Sequence, residues 1–264
     1  MATYLTGRHG FIGSRLAKFL IDITDDIKEA DTVIHLGAYG NHNWQTDRKE
    51  TFEANVAKTF RLLEKCKANK VKNFIFIGTS SEYGTIAKPM DEEDLPRAKS
   101  LYACTKVCGT YLTRYYSEYF NTATIRPFSV YGEQEDDRRF IPKIIRCLAL
   151  NEKMILAKGD HDWIHVDDFC RGVLTVLENI SKLNGQVVNI GTGESTSNIE
   201  VVKVLEQISG KALETEPVPR KKDDSFIWVA NNTKIKNLGW SPKISLIEGL
   251  RKVYEFKTKS YRDK

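Results

Sequence analysis

The N-terminal stretch Tyr4-Leu-Thr-Gly7-Arg-His-Gly10-Phe-Ile-Gly13 decides the fold of this chain. A short apolar run leads into three glycines, and a helix-forming segment follows at once. Glycines in this order permit a tight turn and let backbone amides approach a pyrophosphate. Because the turn follows the first predicted strand and opens the first predicted helix, it predicts a dinucleotide-binding site.

The following part of the chain alternates compact β-branched runs with long helical segments. The runs at 32–36, 73–77 and 122–126 show no strict polar alternation, which is typical of parallel strands buried on both faces. Helical stretches at 48–68 and 100–120 lie between them. This order predicts an α/β fold with a doubly wound parallel sheet.

The composition is that of a soluble globular protein, with 264 residues, 41% hydrophobic and 28% charged. No segment has the apolar length of a membrane span and no signal peptide is recognisable, so we expect a cytoplasmic protein without a membrane partner. The five cysteines lack CxxC spacing, which argues against a disulfide framework or zinc site. The net charge of +5 is dispersed, which predicts an anionic small molecule and no nucleic acid as partner.

Tyr102 and Lys106 lie one helical turn apart, and together they suggest a proton-transfer pair. A phenol titrates near ~10, and a neighbouring ammonium favours the phenolate. We therefore expect Tyr102 to move a hydroxyl proton while a nicotinamide takes a hydride. The buried run before them ends in Gly78-Thr-Ser-Ser-Glu-Tyr-Gly84, which places hydroxyls at the carboxyl edge of the sheet, where ligands of such folds bind.

With these motifs in place, the chain resembles the extended branch of the short-chain dehydrogenase/reductase superfamily, the NAD(P)-dependent nucleotide-sugar epimerases and dehydratases. The resemblance covers nearly the whole chain. It rests on the glycine turn, Tyr102 with Lys106, and the following segments: Val33-Ile-His-Leu-Gly-Ala38, Thr79-Ser-Ser-Glu-Tyr-Gly84, Arg126-Pro-Phe-Ser-Val-Tyr-Gly132, Asp162-Trp-Ile-His-Val-Asp-Asp168, Asn189-Ile-Gly-Thr-Gly193 and Leu238-Gly-Trp-Ser-Pro242.

The resemblance implies a catalytic set of Thr79, Tyr102 and Lys106, with NAD or NADP as cofactor. The cofactor-binding residues that it implies are Gly7, Gly10, Phe11, Ile12, Gly13, Asp22, Ile23, Leu36, Gly37, Ala38, Asn55, Tyr102, Lys106, Pro127 and Ser129. The implied substrate-binding residues are Thr79, Ser129, Arg139, Phe140, His161 and Arg220. Relatives often have Asn in place of Ser129, and many have Arg in place of His161.

Two domains are expected, because the strand–helix alternation loosens after about residue 131. Residues 1–131 with roughly 164–190 are predicted to form the NAD(P)-binding Rossmann domain. Residues 132–163 with 191–264 are predicted to form a smaller C-terminal substrate-binding domain.

The predicted Rossmann domain is truncated near strands 2 and 3. Gly13 and Val33 are only 20 positions apart, whereas the resembled family places two strands and a helix between these motifs. The surviving segment matches the end of the missing section, which implies Asp22 and Ile23 near the adenine. The lost strand normally ends in the residue that reads the adenosine ribose. The choice between NAD and NADP therefore stays open, with Arg8 and Arg15 as candidates near a 2′-phosphate.

His161, Asp162, His165, Asp167 and Asp168 crowd together, but their spacing fits no standard ligand motif. We therefore predict no metal, and a structural role in which Asp167 or Asp168 starts a helix.

The favoured function is an epimerase or ketosugar reductase that acts on a nucleotide-diphosphate sugar. Two alternatives stay open: a dehydratase that uses Glu82, which lies one place later than in dehydratase relatives, and a binding protein of the same fold without turnover. The helices at 48–68 and 100–120 resemble those that form a dimeric four-helix interface in the family.

Overall fold

The computed structural model describes residues 2–219 and 227–262. Its strands are β1 (Thr3–Thr6), β2 (Ile23–Thr24), β3 (Thr32–His35), β4 (Asn73–Ile77), β5 (Asn121–Pro127), β6 (Ser129–Tyr131), β7 (Met154–Ala157), β8 (Asp160–His161), β9 (Trp163–His165), β10 (Gln186–Ile190), β11 (Thr196–Ser197) and β12 (Thr215–Val218). Its α-helices are α1 (Phe11–Leu16), α2 (Arg48–Phe52), α3 (Lys58–Ala68), α4 (Leu101–Tyr115), α5 (Phe140–Leu150), α6 (Val166–Glu178), α7 (Asn198–Ser209), α8 (Thr233–Lys236) and α9 (Leu246–Arg262).

The central sheet has six strands in the order β10-β5-β4-β3-β1-β2, and every neighbouring pair is parallel. Strands β3 and β4 are buried along their whole length, because helices cover both faces of the sheet. The predicted doubly wound α/β fold is confirmed. The helix predicted at 48–68 is formed by α2 and α3, which a π-helical turn (Glu53–Ala57) joins.

The shortened N-terminal region closes in an unexpected way. Strand β2 is only two residues long, and it pairs directly with β1, Ile23 with Thr3 and Thr24 with Tyr4. A single 3₁₀ turn (Ile27–Glu29) then leads to β3. The surviving end of the missing section has therefore become the strand beside β1 and the edge of the sheet.

Hydrophobic residues form separate clusters. One cluster lies between the sheet and helices α1 and α6, with Leu16, Ile75 and Phe169 completely buried. Another packs the opposite face against α3, with Phe74 and Leu63. A further cluster joins the C-terminal elements α5, α7 and α9, and its central side chains are Ile144, Ile145, Val201, Leu205, Leu250 and Val253. The segment predicted as the smaller domain thus has apolar packing of its own.

None of the helices built from the described residues is long and apolar enough to cross a membrane.

Candidate active site

A cleft of about 680 Å³ runs along the carboxyl edge of the sheet. It brings together most of the residues predicted for the site, from β1, β3, β4, β5 and α4. These are Gly7, Gly10, Phe11, Ile12, Gly13, Leu36, Ala38, Thr79, Tyr102, Lys106, Pro127, Ser129, Arg139 and His161. Parallel strands end at one edge, so segments far apart in the chain meet there.

The glycine turn forms one end of the cleft. Gly7 has a φ of +69°, and a Cβ on it would lie 3.0 Å from the backbone nitrogen of Gly37. A Cβ on Gly13 would overlap the carbonyl oxygen of Gly7, so the start of α1 packs directly on the turn. Only glycine fits these positions, and the bare backbone that results suits a pyrophosphate. The turn therefore fits the dinucleotide that the sequence predicts.

Tyr102 and Thr79 meet at the centre of the cleft. Ser100 caps α4, its Oγ accepting a hydrogen bond of 3.1 Å from the Ala103 amide, and Tyr102 follows in the first turn. Both side chains line the cleft. Burial raises the pKa of Tyr102, and the negative charge of Glu82 adds to this, while the Thr79 side chain acts in the opposite direction.

Lys106 is buried one turn further along α4, with its Nζ 4.2 Å from the centre of the Phe76 ring. Burial lowers the pKa of this ammonium to about 8, against the opposing effect of Glu82. The sequence predicted that the ammonium would favour the Tyr102 phenolate. In the protein alone, burial is the largest effect on Tyr102 and raises its pKa, so the effect of the ammonium on the phenol stays a prediction.

Glu82 does not line the cleft, contrary to the dehydratase alternative. Its side chain is fully buried, and one oxygen accepts a hydrogen bond of 3.0 Å from the Thr79 backbone amide. The other oxygen accepts hydrogen bonds from the Thr110 hydroxyl, at 2.9 Å, and from Arg126. Ser80 and Ser81 line the cleft instead. Glu82 is therefore held in the core, outside the cleft lining.

Several predicted site residues lie outside the cleft lining. Asn55 is buried and holds the loop after β3, donating to the Tyr39 carbonyl at 2.8 Å and to Thr105 at 2.9 Å. Phe140 stacks on Trp163 with ring centres 5.5 Å apart. Gly37 also lies outside the lining, and its amide donates a hydrogen bond to the Thr6 hydroxyl. Asp22 and Ile23 lie at β2, and Arg220 falls outside the described residues.

The cleft is also lined by Arg139 and Glu135. The guanidinium of Arg139 donates to Glu135 Oε1 at 3.3 Å, while Glu135 Oε2 is buried and has no hydrogen-bond partner. Burial raises the pKa of Glu135 to about 7, with Arg139 opposing. Arg138 instead binds Asp136 at 2.7 Å and stacks on Trp44. Of the two arginines, Arg139 is the one in the cleft.

Sequence reasoning missed several lining residues, namely Asn41, His42, Gln45, Phe128, Val130, Gln134, Glu135, Asp136 and Trp228. The charged run around Glu135, directly after the Tyr131-Gly132 motif, offered a signal. Trp228 offered none. It reaches the cleft from 148 positions away, where its indole donates to Ser80 Oγ at 3.0 Å.

The crowded acids at 161–168 have structural partners. Asp162 accepts hydrogen bonds from backbone amides of Thr192, Gly193 and Ala230. Asp168, in the first turn of α6, accepts bonds of 2.8 Å from the amides of residues 243 and 244. The Asp162 and Asp168 carboxylates thus hold loops in place.

Comparison with known proteins agrees with this geometry. The model of the NAD dependent epimerase/dehydratase family matches residues 20–191. The chain belongs to this family. The matched range starts just after α1, at the shortened segment.

Among the similar proteins is UDP-glucuronate 4-epimerase of Thermodesulfobacterium geofontis, 30% identical, with 83% of this chain and 70% of that protein covered. A dTDP-glucose 4,6-dehydratase of Streptomyces griseus is 29% identical over 83% of this chain and 69% of its own length. The UDP-glucuronic acid 4-epimerase of Bacillus cereus, solved with UDP-glucuronic acid and NAD, is 27% identical with a TM-score of 0.90, covering 99% of this chain and 100% of that one.

Proposed function

We propose that the protein is an NAD-dependent epimerase that inverts C4 of a nucleotide-diphosphate sugar. The observation that carries this proposal is that Thr79, Tyr102 and Lys106 line one cleft, which continues to the glycine turn. The choice of C4 is supported by the similar 4-epimerases named above.

Each catalytic side chain has a distinct task. Tyr102 takes the proton of the sugar hydroxyl and later returns it to the same oxygen, while Thr79 orients that oxygen. NAD, held at the glycine turn, would supply the chemistry of a reversible hydride acceptor. Because the pKa of Tyr102 is raised in the protein alone, the proton transfer needs a positive charge nearby. Lys106 is the residue that we assign to this task.

The position of Glu82 favours epimerisation over dehydration. Elimination of water requires an acid that reaches the sugar from beside the catalytic threonine. Glu82 is fully buried and bound to Arg126, and the residues that follow Thr79 into the cleft are serines. The site thus has hydroxyls where a dehydratase would need a carboxyl group.

The substrate is assigned to the part of the cleft that Arg139 lines. Arg139 carries the charge suited to the diphosphate. Ser129 and His161 line the same cleft and are assigned to the sugar side, with Arg220 retained from the sequence prediction. On this basis residues 1–131 with 164–190 bind the cofactor, and 132–163 with 191–264 bind the nucleotide sugar.

We further propose that two copies of the chain associate through α2, α3 and α4. These helices expose a row of large apolar and aromatic side chains, with Phe52 55% and Tyr115 59% exposed. The others are Phe60, Leu101 and Tyr111. A patch of this kind on helices marks an association surface. Light scattering at micromolar concentration should give a dimer, and a monomer would contradict the proposal.

The function is tested with a panel of UDP- and dTDP-sugars and NAD. An epimerase converts one of them to a product of unchanged mass with new sugar signals in the proton NMR spectrum, and with no net change in nicotinamide absorbance. Loss of water would indicate a dehydratase, and net oxidation of a reduced nicotinamide with a ketosugar would indicate a reductase. Failure of the folded protein to bind either NAD or NADP would leave a binding protein without turnover.

A further inference from the structure

We propose that Asp25 reads the 2′-hydroxyl of the adenosine ribose and makes the protein selective for NAD over NADP. The inference rests on the proposed use of a nicotinamide dinucleotide. It concerns the part of the site from which the usual strand is missing.

The first argument is the position of β2. In doubly wound folds, the acid that recognises the NAD ribose stands at the end of the strand beside β1, about 20 residues beyond the glycine turn. Here β2 pairs directly with β1 and ends at Thr24, so Asp25 is the next residue. Asp25 lies 18 positions after Gly7. The shortened chain has thus brought a carboxylate to the end of the strand beside β1.

The second argument is the direction of the side chain. Asp25 forms an ion pair with Arg8, the residue that directly follows Gly7 in the glycine turn. Its neighbours serve the local turn instead: the Asp26 carboxylate accepts a hydrogen bond of 3.0 Å from the Lys28 amide, and the Thr24 hydroxyl donates to Glu29 at 2.9 Å. Of these three side chains, only that of Asp25 reaches toward the glycine turn, and it remains 84% exposed to a ligand.

The third argument concerns the arginines that the sequence offered as readers of a 2′-phosphate. Arg8 is paired with Asp25, and Arg15 is paired with Asp167, its Nη2 donating to Oδ2 at 2.7 Å. A 2′-phosphate at this position would meet the Asp25 carboxylate, and like charges repel. A ribose hydroxyl would instead donate to it, a charge-assisted hydrogen bond. The arrangement favours NAD and disfavours NADP.

Calorimetric dissociation constants for NAD, NADP and NAD lacking the adenosine 2′-hydroxyl test the assignment. The wild type should bind NAD at least about 10-fold more tightly than the other two ligands, as expected for one charge-assisted hydrogen bond. Asp25→Asn should weaken NAD binding about 10-fold and remove most of the discrimination among the three ligands. Asp26→Asn is the matched control and should keep the wild-type ratios.

An Arg8→Ala variant completes the experiment, and it should still prefer NAD. Three results would overturn the assignment: a wild type that binds NADP as tightly as NAD, an Asp25→Asn variant with unchanged ratios, or NADP binding that depends on Arg8. Epimerisation of a nucleotide sugar alongside any of these would show that only the Asp25 assignment fails. If neither dinucleotide bound, the proposed function would fall as well.

Discussion

Glu82 and Arg126 form an ion pair inside the protein, directly behind Thr79. Arg126 Nη2 lies 2.9 Å from Glu82 Oε2, and the two side chains are 3% and 0% exposed. The other Glu82 carboxylate oxygen accepts a hydrogen bond from the Thr79 backbone amide. This pair therefore ties the end of β4, through the 3₁₀ turn at Ser80–Tyr83, to β5. The acid that the sequence offered as a dehydratase residue positions the threonine instead.

Glu82→Gln should destabilise the protein by about 3–5 kcal/mol, because it leaves Arg126 buried without its counter-charge. Urea unfolding measures the loss. Glu214→Gln is the matched control, since Glu214 pairs with Lys153 at the surface, and a change of about 1 kcal/mol or less is expected. A variant with unchanged stability but no turnover would restore Glu82 as a candidate catalytic acid.

Tyr102→Phe should reduce turnover about 10²- to 10⁴-fold, because only the transferable proton is removed. Thermal unfolding and NAD affinity should stay close to the wild-type values. Tyr254→Phe, in α9 and outside the cleft lining, is the control and should be fully active. Wild-type turnover in the Tyr102 variant would exclude the role assigned to this phenol.

The stability of the protein should fall between about pH 4.5 and 7 through Glu135. Its pKa is raised from 4.5 to about 7 by burial, so the folded state binds its proton more tightly than the unfolded state does. Glu135 therefore stabilises the folded state by about 1–3 kcal/mol below pH 4.5, and this contribution is lost as the pH rises to about 7. The difference in unfolding free energy between wild type and Glu135→Gln, measured across this range, isolates the contribution.

The unfolding free energy of Glu135→Gln, relative to that of the wild type, should be higher above pH 7 than at pH 4.5. Glu214→Gln serves again as the exposed control and should give a flat difference. A flat difference for Glu135→Gln too would show that the carboxyl is not protonated preferentially in the folded state.

Gly13→Ala should destabilise the protein by about 1–3 kcal/mol and weaken NAD binding, because the new Cβ would overlap the Gly7 carbonyl. Gly10→Ala is the comparison, since the nearest atom to its added Cβ would be 3.3 Å away. Chemical denaturation and NAD titration of the two variants provide the measurement. Equal unfolding free energies for the Gly13→Ala and Gly10→Ala variants would mean that the glycine turn can shift to accommodate a Cβ at residue 13.

Much of the fold and of the site could be predicted from short segments. The apolar runs at β3 and β4 predicted buried parallel strands, and the glycine turn predicted its own place between a strand and a helix. Thr79 and Tyr102 could be predicted to lie close together, because strands of a parallel sheet end at one edge. These inferences depend on periodicity and turn chemistry, which act over a few residues.

The sequence predictions failed where a residue depends on partners that are distant in the chain. Glu82 could not be assigned to the core, because its partner Arg126 is 44 positions away. The raised pKa of Tyr102 could not be foreseen either, since it follows from burial that no local pattern records.

The sequence by itself determined the α/β architecture and the glycine turn, because each is written in a contiguous pattern, and it predicted Thr79, Tyr102 and Lys106 as the catalytic set. Only the tertiary structure decided that β2 pairs with β1, that Asp25 faces Arg8, and that Glu82 turns inward. Strand neighbours and charge partners are chosen by packing and by the need to pair buried charges. Those choices are made only when distant parts of the chain meet.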